Sequence, residues 1–320
     1  MTKKALIVCQ TPFHLWLVEE IFKNTLSACE VLLVLHEVSP KVDYYVDRLS
    51  KKNNKIIFHK VTLPNNSKIN ILKSLFYFNN YISVMDGYHS VYVAGINSIF
   101  IHKLLTVLKF DALYTYDDGV GNLFEGGELY RDNITISQFF LRKLFCIKYN
   151  VNSIRKEAVA HYTIYKDFKN ISNKLRYIEK KETHNCIDNM IIEPYGEEVC
   201  FFLGQPYQEF YPRIYSILDN ILKCYNIKYY YPHPREVFFK SSVDVVEEQM
   251  IFEDYLHEFV CKNPNTKIII YAFISTALLN VGKLNSVKRV ALYDDTLLHR
   301  YQNIYNILSE SGVELKRMEF

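Results

Sequence analysis

Short apolar runs alternate with amphipathic helical patterns along the whole chain, and this alternation limits the fold more than any other feature of the sequence. Ala5–Cys9 is a continuous apolar run, which is typical of a strand buried on both faces of a parallel sheet. Gln10, Thr11 and Pro12 then form a turn into a helical pattern at residues 13–26. Further strands are predicted at residues 31–35, 55–58, 90–94, 112–116, 161–165, 198–203, 227–231, 267–273 and 287–293, and further helices at residues 67–82, 99–108, 136–148, 210–225, 256–261, 275–281 and 296–311. This alternation predicts an α/β fold in which helices cover parallel sheets.

The length of the chain and one irregular stretch indicate two domains. At 320 residues the chain exceeds the usual size of one domain. Residues 166–193 carry many charges without clear periodicity, so we expect the connection there, with domains at residues 1–185 and 186–320. The net charge of +3 is far from the strongly basic character of a nucleic-acid-binding protein.

The cysteines and the first residues bear on the cellular compartment. Seven cysteines, an odd number with no Cys-x-x-Cys pair, are typical of reduced, buried thiols in a cytoplasmic protein. The first apolar run is far shorter than the roughly 20 residues that span a bilayer, and no signal-peptide pattern is present. We therefore expect a cytoplasmic protein.

The helical pattern at residues 136–148 leaves two interpretations open. It places Arg142, Lys143 and Lys148 among large apolar side chains. The apolar stripe can face the core while the charges are solvated, or it can lie on an anionic membrane surface. Peripheral contact with the cytoplasmic face of the inner membrane is therefore one hypothesis about partners, and a homodimer is another.

His233 stands between two prolines directly after the predicted strand at residues 227–231. Each proline fixes φ and restricts the residue before it, so the backbone that carries this imidazole is stiff. Imidazole titrates near neutral pH and can serve as a general acid. The alternative is a turn histidine that bonds only to local backbone.

Two adjacent carboxylates, Asp117 and Asp118, follow the strand at residues 112–116 and precede a glycine. Ligands of open α/β sheets bind at the carboxyl ends of the strands. The pair can act as metal ligands, supply a general base or order the turn, and the spacing does not separate these roles. A metal site would need more ligands, of which Glu125 and Glu128 are the nearest. Adjacent side chains of an extended strand point to opposite faces, so at most one of the two acids is expected to face a ligand.

Ser275 and Thr276 follow a long apolar run and open a predicted helix. A helix N-terminus offers backbone N–H groups to an anion such as phosphate, although a plain helix cap is the alternative. Glu253 follows two apolar residues and can accept hydrogen bonds from a ribose diol, or it is a surface acid. Together with His233 these residues indicate a nucleotide in the second half of the chain, and the acidic pair indicates an acceptor in the first half.

Three motifs in this order and separation resemble those of the bacterial sialyltransferases. They are Tyr-Asp-Asp-Gly at residues 116–119, Tyr-Pro-His-Pro at 231–234 and Ser-Thr at 275–276. The sequence is most similar to glycosyltransferase family 52, the lipooligosaccharide α-2,3-sialyltransferases. Residues 9–12, 161–163 and 202–206 are also similar to that family, so the resemblance covers nearly the whole chain.

The resemblance implies a fold, a reaction and a set of roles. The fold is GT-B, with two Rossmann-like domains and the active site in the cleft between them. The reaction moves sialic acid from CMP-sialic acid to a terminal galactose of a lipooligosaccharide or capsule glycan, with inversion, without a metal or other cofactor, and through an α-2,3 linkage. Asp117 is then the general base, His233 the general acid, and Glu253 the ribose ligand, while Ser275 and Thr276 hold the phosphate. Some relatives have Ser where this chain has Thr276, and the hydroxyl is retained.

Further residues are assigned by their position beside these motifs. The N-terminal domain is expected on the acceptor side, and the C-terminal domain is expected to bind the nucleotide sugar. Additional donor-binding residues are expected at Pro234, Gly204 and Gln205, and residues of the sugar site at Gln10, Thr11, Asp118 and Gly119.

Three other functions agree with the same motifs. One is a GT-B glycosyltransferase that uses another nucleotide sugar, such as a glucosyltransferase. The second is a non-catalytic binding protein of polysaccharide assembly, and the third is a metal hydrolase.

Overall fold

The computed structural model describes residues 4–25, 29–36, 39–63, 68–85, 87–178, 196–236, 243–282, 284 and 286–318. The chain divides into two compact units, Met1–Lys180 and Lys181–Phe320. Each unit contains one sheet, and all strand pairings in the described residues are parallel. Parallel neighbours need a crossover between them, so helices separate most of the strands along the chain.

The described part of the first unit contains a seven-stranded sheet in the order β3-β2-β1-β4-β5-β6-β7. Its strands are β1 Ala5–Cys9, β2 Cys29–Leu35, β3 Ile56–Thr62, β4 Tyr88–Val93, β5 Phe110–Tyr116, β6 Ala160–Thr163 and β7 Leu175–Tyr177. Its helices are α1 Pro12–Thr25, α2 Pro40–Lys52, α3 Lys68–Ile82, α4 Ile99–Val107, α5 Ile136–Leu144 and α6 Val151–Glu157, with a 3₁₀ turn at Val120–Asn122.

The described part of the second unit contains a six-stranded sheet in the order β10-β9-β8-β11-β12-β13. Its strands are β8 Glu197–Leu203, β9 Tyr229–Tyr231, β10 Asp244–Val245, β11 Thr266–Ala272, β12 Val287–Tyr293 and β13 Glu314–Arg317. Its helices are α7 Tyr207–Phe210, α8 Leu218–Cys224, α9 Phe252–Lys262, α10 Ala277–Asn280 and α11 Asp295–Glu310, with a 3₁₀ helix at Pro212–Ser216.

Both sheets have the strand order of a Rossmann fold. Counted within its own unit, each sheet runs 3-2-1-4-5-6, and the first unit adds a seventh strand at the edge. In this topology the chain leaves its first strand in one direction and later returns to the other side of it, which opens a crevice between strands 1 and 4. The crevice lies at the carboxyl ends of β1 and β4 in the first unit and of β8 and β11 in the second.

The strands that were predicted from apolar runs are the ones that are buried. β1 and β2 are buried along their whole length, because helices cover both faces of the sheet. One core of the first unit joins Leu6, Val91, Phe78, Leu104 and Ile154 from two strands and three helices. A continuous apolar run is the sequence signature of such a strand.

Several predicted elements were wrong in extent. The predicted helix at 210–225 is broken into short pieces around Pro212, whose missing N–H does not allow a continuous helix. The predicted helix at 136–148 ends at Leu144, and the chain turns at Cys146 with φ of 50°. The predicted helix at 275–281 is a single turn, Ala277–Asn280.

Other elements were missed. α2 has few apolar residues, and only the spacing of the buried Val42, Tyr45 and Leu49 identifies it as a helix. β7 and β13 are short, mostly exposed strands at the sheet edges, so their sequences are not apolar runs. The stretch at 166–193, where the connection between the domains was expected, contains β7, and its residues 179–193 lie outside the described residues. Among the described residues no helix is both long and apolar enough to span a membrane.

The cysteines only partly match the prediction of buried thiols. Among the described residues Cys9, Cys29 and Cys200 are buried and free, whereas Cys146 and Cys224 are free and exposed. Burial raises the pKa of the Cys9 thiol to about 12, so Cys9 stays protonated at neutral pH.

Candidate active site

The predicted general acid and three of the predicted donor-binding residues lie at the carboxyl edge of the second sheet. β8, β9 and β11 are adjacent strands; Gly204 and Gln205 follow β8, His233 follows β9, and Ser275 follows β11. The crevice between β8 and β11 is the topological switch point of this sheet, where open α/β sheets bind their ligands. Parallel strands end on the same side of a sheet, and for this reason the four residues that follow β8, β9 and β11 lie at one edge.

Gln205 connects the two strands that flank this crevice. Its side chain is buried, and its Oε1 accepts hydrogen bonds from the backbone N–H groups of Phe273 at 3.2 Å and Ile274 at 3.3 Å. The amide oxygen thereby satisfies two N–H groups at the point where β11 ends and the sheet ladder stops. This contact makes Gln205 a structural support of the loop that leads to Ser275.

The imidazole of His233 is oriented by its own turn. The Arg235 backbone N–H donates to Nδ1 at 3.1 Å, so Nδ1 presents its lone pair and the neutral ring carries its proton on Nε2. The turn is closed by the Glu236 N–H, which donates to the His233 carbonyl at 2.9 Å. His233 is therefore preset to donate a hydrogen bond from Nε2.

Glu236 lies beside His233 and was not predicted as a site residue. One carboxylate oxygen accepts from the His233 backbone N–H at 3.2 Å, and the other accepts from the Tyr230 hydroxyl. Burial raises the pKa of Glu236 to about 7. Its position three residues after His233 in a proline-rich turn was the available signal, but Gly204, which also lies beside the carboxyl group, is distant in sequence.

Gly204 leaves space for this carboxyl group. A Cβ at this position would lie 2.1 Å from Glu236 Oε2 and 2.8 Å from the Tyr230 hydroxyl. Any larger residue would displace one of the two side chains, so the glycine between β8 and Gln205 is required by the packing around Glu236.

The residues predicted to bind phosphate and ribose lie at the N-terminal ends of α10 and α9. Ser275 Oγ accepts from the Ala277 N–H at 3.3 Å, whereas Thr276 makes no side-chain cap bond. α10 is only one turn long, so the helix dipole expected behind Ser275 is small. Glu253 is the second residue of α9 and accepts from the Asn280 side chain at 2.7 Å, which holds one of its oxygens toward α10.

In the first unit the two adjacent acids have different environments. Asp117 is completely buried; its carboxylate accepts from the Ile164 N–H at 2.7 Å and from His161 Nε2 at 3.0 Å, with Asn170 Nδ2 at 3.5 Å. The side chain of Asp118 is 29% exposed. The two adjacent carboxylates therefore differ in exposure, and which of them faces a ligand stays a prediction.

Asp118 is paired with a histidine that the sequence did not single out. His14 is buried in the first turn of α1, and its Nε2 lies 2.6 Å from Asp118 Oδ1. The Gln10 N–H donates to His14 Nδ1 at 3.1 Å, so the neutral ring carries its proton on Nε2 and donates it to Asp118. His14 and Asp118 are 104 positions apart, so no local sequence pattern indicated that they would pair.

Gly95 lets Gln10 and Asp118 approach the same crevice. It follows β4 with φ of 56°, and a Cβ there would lie 2.2 Å from Gln10 Oε1 and 3.6 Å from Asp118 Oδ2. Gln10 also donates from Nε2 to the Ser98 hydroxyl at 3.3 Å. The crevice between β1 and β4 is therefore lined by the predicted residues Gln10 and Asp118.

Two further predicted residues of the first unit shape the backbone. The Thr11 hydroxyl accepts the His14 N–H at 3.2 Å and so supports the first turn of α1. Gly119 has φ of 91°, which L side chains rarely adopt. Both are supports of the chain at this edge.

Glu125 and Glu128, the nearest additional carboxylates, are engaged elsewhere. Glu125 pairs with Lys169 at 2.5 Å and Glu128 accepts from Asn97 at 2.8 Å. Among the described residues, His, Cys, Asp and Glu form no group of three that could hold a metal ion.

A cavity of about 720 Å³ lies in the first unit, outside the predicted site. Five basic residues line it, together with Glu125 and Asn170; the five are Arg131, Arg155, Lys156, Lys169 and Lys174. No residue of the predicted site is among the described residues that line this cavity; Asn170, which lines it, also contacts Asp117 at 3.5 Å.

Known proteins resemble this chain in fold and in sequence. UDP-N-acetylglucosamine 2-epimerase from Listeria monocytogenes aligns with a TM-score of 0.51 over 97% of this chain and 87% of its own, at 11% identity. At that identity the likeness concerns the fold alone, and it confirms the predicted GT-B class with two Rossmann-like domains.

The sequence comparisons are more specific. The chain is 31% identical to CMP-N-acetylneuraminate:beta-galactoside alpha-2,3-sialyltransferase of Pasteurella multocida, over 97% of this chain and 98% of that protein. It is also 31% identical to N-acetyllactosaminide alpha-2,3-sialyltransferase of Haemophilus influenzae, over 72% of each. A sequence profile of glycosyltransferase family 52 matches residues 29–296. This profile covers most of the chain and confirms the resemblance that the three motifs indicated: the protein is a member of glycosyltransferase family 52.

Proposed function

We propose that this protein is an inverting sialyltransferase that moves sialic acid from CMP-sialic acid to a terminal galactose of a surface glycan, lipooligosaccharide or capsule, through an α-2,3 linkage. The observation that carries the proposal is the similarity, over 97% of this chain, to a protein named for that donor and for a β-galactoside acceptor. The donor edge of the second sheet and the acid at the edge of the first supply the groups that such a reaction needs.

On the donor side, His233 acts on the leaving phosphate. As the bond from the anomeric carbon to the phosphate oxygen breaks, CMP departs with the bonding electrons and negative charge grows on the phosphate. His233 donates a hydrogen bond from Nε2, and the Ser275 and Thr276 hydroxyls hold the same group. Donors of this kind, fixed before the reaction begins, each typically contribute on the order of 10²–10³ in rate.

The fixed tautomer of His233 refines the general-acid assignment. An imidazolium would need a proton on Nδ1 and would lose the bond from the Arg235 N–H. We therefore favour a neutral His233 that donates a hydrogen bond over one that transfers a whole proton. CMP is a stable leaving group as a phosphate anion, so complete proton transfer is not required.

On the acceptor side, Asp118 is the better candidate for the general base. A base must reach the hydroxyl that it deprotonates. Asp118 is partly exposed, and the bond from His14 orients its carboxylate while its second oxygen is directed toward Gly95. Asp117, the base expected from the motif, is buried with both oxygens bonded to protein groups, which favours a structural role. Its catalytic assignment stays a prediction.

The reaction then follows from the donor's own chemistry. The anomeric carbon of sialic acid is fully substituted and carries a carboxylate, so departure of CMP leaves an oxocarbenium-like centre that needs little nucleophilic assistance. The acceptor oxygen attacks from the face opposite to CMP, its proton passes to Asp118, and the configuration inverts. Hydrogen-bond donors offset the phosphate charge in this scheme, so we propose that the reaction is independent of metal ions.

The test is an incubation of the purified protein with CMP-sialic acid and a labelled lactoside in the presence of a chelator, with CMP and product measured together. We expect equal amounts of CMP and sialylated lactoside. Product should form in the presence of the chelator and should be lost in His233→Ala. A control series replaces the donor with uridine nucleotide sugars. Transfer from one of these and none from CMP-sialic acid would overturn the donor assignment. Loss of transfer on adding chelator would overturn the metal-independent mechanism.

A further inference from the structure

The cavity of about 720 Å³ in the first unit is lined mainly by polar side chains, and we call it the basic cavity. It lies between the loop that follows β5, helix α6 and the loop that joins β6 to β7. Among the described residues that line it, Ile171 is the only aliphatic one and Tyr130 the only aromatic one. Most sites for drug-like ligands are apolar, so the basic cavity suits a strongly polar ligand instead.

The charge of the basic cavity is high compared with that of the chain. Five of the lining residues are basic and one, Glu125, is acidic, so five positive charges less one negative charge give +4. The net charge of the whole chain is +3, which leaves the residues outside the cavity close to neutral as a set. Charges of one sign that line a cleft focus the field and raise the local concentration of the opposite ion. The basic cavity should therefore attract anions.

Two of the cations are not paired within the described part of the chain. The side chains of Arg131 and Lys156 are exposed, and neither makes an ion pair or hydrogen bond with another described residue. Lys169, by contrast, pairs with Glu125 at 2.5 Å. Arg131 and Lys156 can therefore contact an anionic ligand without first breaking such a contact.

Arg155 is held in place before any ligand arrives. Its Nε donates to the Ile171 carbonyl at 2.8 Å and its Nη1 to the Tyr130 carbonyl at 3.2 Å. Its Cζ also lies 4.8 Å from the centroid of the Tyr130 ring. The two hydrogen bonds use two of the five N–H donors of the guanidinium. The fork geometry of this group matches carboxylate and phosphate oxygens, and a side chain that is already ordered loses less entropy on binding.

The basic cavity reaches the edge of the first sheet that carries the acidic pair. Asn170, which lines the cavity, donates from Nδ2 to the Thr163 hydroxyl at 3.1 Å and lies 3.5 Å from Asp117 Oδ1. Thr163 is the last residue of β6, and Asp117 directly follows β5. The cavity and Asp118, the proposed base, therefore belong to the same edge of the same unit.

The lining also separates the classes of anion. An acyl chain would find apolar aliphatic contact only at Ile171. A nucleic-acid base would find one ring, Tyr130, and Arg155 covers a face of it, whereas sites for single-stranded nucleic acid use aromatic rings on which bases stack. The neutral polar residues of the lining are Asn152, Asn170, Ser172 and Asn173. Their amides and hydroxyl can donate to and accept from sugar hydroxyls, so cations and amides together favour an anionic oligosaccharide.

We propose that the basic cavity binds the anionic inner sugars of the glycan acceptor, which are saccharide residues that carry phosphate or carboxylate groups. Arg131, Arg155 and Lys156 contact the anionic oxygens, and the amide side chains contact sugar hydroxyls. The identification of this ligand as the acceptor rests on the proposed function. It narrows the substrate from any terminal galactose to a galactose on an acidic oligosaccharide.

The test is calorimetric titration of the purified protein, without donor, with deacylated lipooligosaccharide. Deacylation removes the acyl chains, so the titration reports binding of the saccharide. Arg131→Gln together with Lys156→Gln, the cavity variant, should raise Kd by about tenfold at low salt, because two charge-assisted contacts are lost at exposed positions. The difference should shrink as salt screens the charges. Lys55→Gln together with Lys223→Gln, at exposed lysines outside the cavity, removes the same charge and should bind as the parent protein does.

Two further measurements identify the anionic group and connect the cavity to the reaction. Hydrofluoric acid removes phosphate esters and leaves carboxylates. Lower affinity for the treated oligosaccharide would assign phosphate, and retained affinity that the cavity variant still lowers would assign carboxylate; both support the proposal. In the transfer assay, the ratio of kcat/KM for deacylated lipooligosaccharide to kcat/KM for a neutral lactoside should fall by about tenfold in the cavity variant and stay constant in the control.

The outcomes that overturn this proposal differ from those that overturn the proposed function. Equal Kd in the parent and the cavity variant, equal losses in the cavity and control variants, or no binding by the parent would each overturn it. Displacement of the oligosaccharide by single-stranded DNA of equal charge at equal concentration would also overturn it. Binding that the cavity variant loses, beside no transfer from CMP-sialic acid, would support an anionic glycan site and refute the proposed function instead. Thermal unfolding of each variant checks that the fold is retained.

Discussion

Exchanging each of the two adjacent acids for asparagine separates a structural carboxylate from a catalytic one. In Asp117→Asn an NH₂ group replaces one of two oxygens that now accept from the Ile164 N–H and from His161. Two donors then face each other in the interior, and an unpaired buried donor costs about 1–3 kcal/mol. With the loss of the charge-assisted bonds we expect a destabilisation of about 2–4 kcal/mol. For a unit of this size each kcal/mol lowers Tm by roughly 2–4 °C, so Tm should fall by about 4–16 °C.

Asp118→Asn should have the opposite profile. The asparagine amide oxygen can still accept the proton of His14 Nε2, and the carboxylate is partly exposed, so the loss of stability should be below about 1 kcal/mol. An amide cannot take a proton from the acceptor hydroxyl, and we expect kcat to fall by about 10²–10⁴.

Differential scanning fluorimetry and kcat, measured on both variants at a temperature where each is folded, decide between the two acids. A folded Asp117→Asn enzyme with normal Tm and lost turnover, beside an Asp118→Asn enzyme of normal turnover, would refute the reasoning. Wild-type turnover in both variants would remove the acidic pair from the mechanism altogether.

Three further predictions follow from the site geometry. Because burial raises the pKa of Glu236 to about 7, the folded protein holds this proton while the unfolded chain releases it near 4.5, so the free energy of unfolding should fall as pH rises from about 4.5 to about 7. The shift in pKa corresponds to a change in unfolding free energy of at most about 3 kcal/mol, and of about 1–2 kcal/mol after screening of this partly exposed group. Chemical denaturation should show this dependence of the unfolding free energy on pH in the parent protein and not in Glu236→Gln. Gly95→Ala puts a Cβ where Gln10 Oε1 now lies and forces a left-handed backbone on alanine; we expect a loss of about 1–2 kcal/mol in denaturant unfolding and a lower kcat/KM, and unchanged values of both would contradict the close approach. If His233 acts as a neutral hydrogen-bond donor, kcat of the Glu236→Gln variant should not decline as pH rises through neutrality. A decline that disappears when His233→Gln is added would instead favour full proton transfer from an imidazolium.

Much of the fold was predictable because parallel strands carry a local signature. Ala5–Cys9 and Thr266–Ala272 are apolar runs whose burial on two faces is visible in the sequence itself. The same reasoning predicted that residues directly after the strands share an edge, and Gly204, Gln205 and Ser275 do. The edge strand Glu314–Arg317 is exposed on most of its residues, so its sequence carried no such signal.

The candidate site was predictable to the level of its motifs but not of its supports. The alternation of adjacent side chains predicted that Asp117 and Asp118 would differ, and local sequence could not tell which of them is buried. That depends on His161, Asn170 and His14, which lie 44, 53 and 104 positions away. Glu236 was likewise missed, because the local sequence of its turn does not show that the carboxyl group lies beside Gly204 at the end of β8.

The capping of α5 has a consequence for the thermodynamics of any contact that it makes. Thr135 and Gln138 form a capping box, in which the Thr135 hydroxyl accepts the Gln138 N–H and the Gln138 side chain accepts the Thr135 N–H. The helix is therefore complete in water. A contact made by α5 does not carry the entropic cost of ordering that an unstructured amphipathic peptide has when it folds at an interface. Helix content measured by circular dichroism should stay constant on binding, and association should be fast and reversible, as between two preformed surfaces.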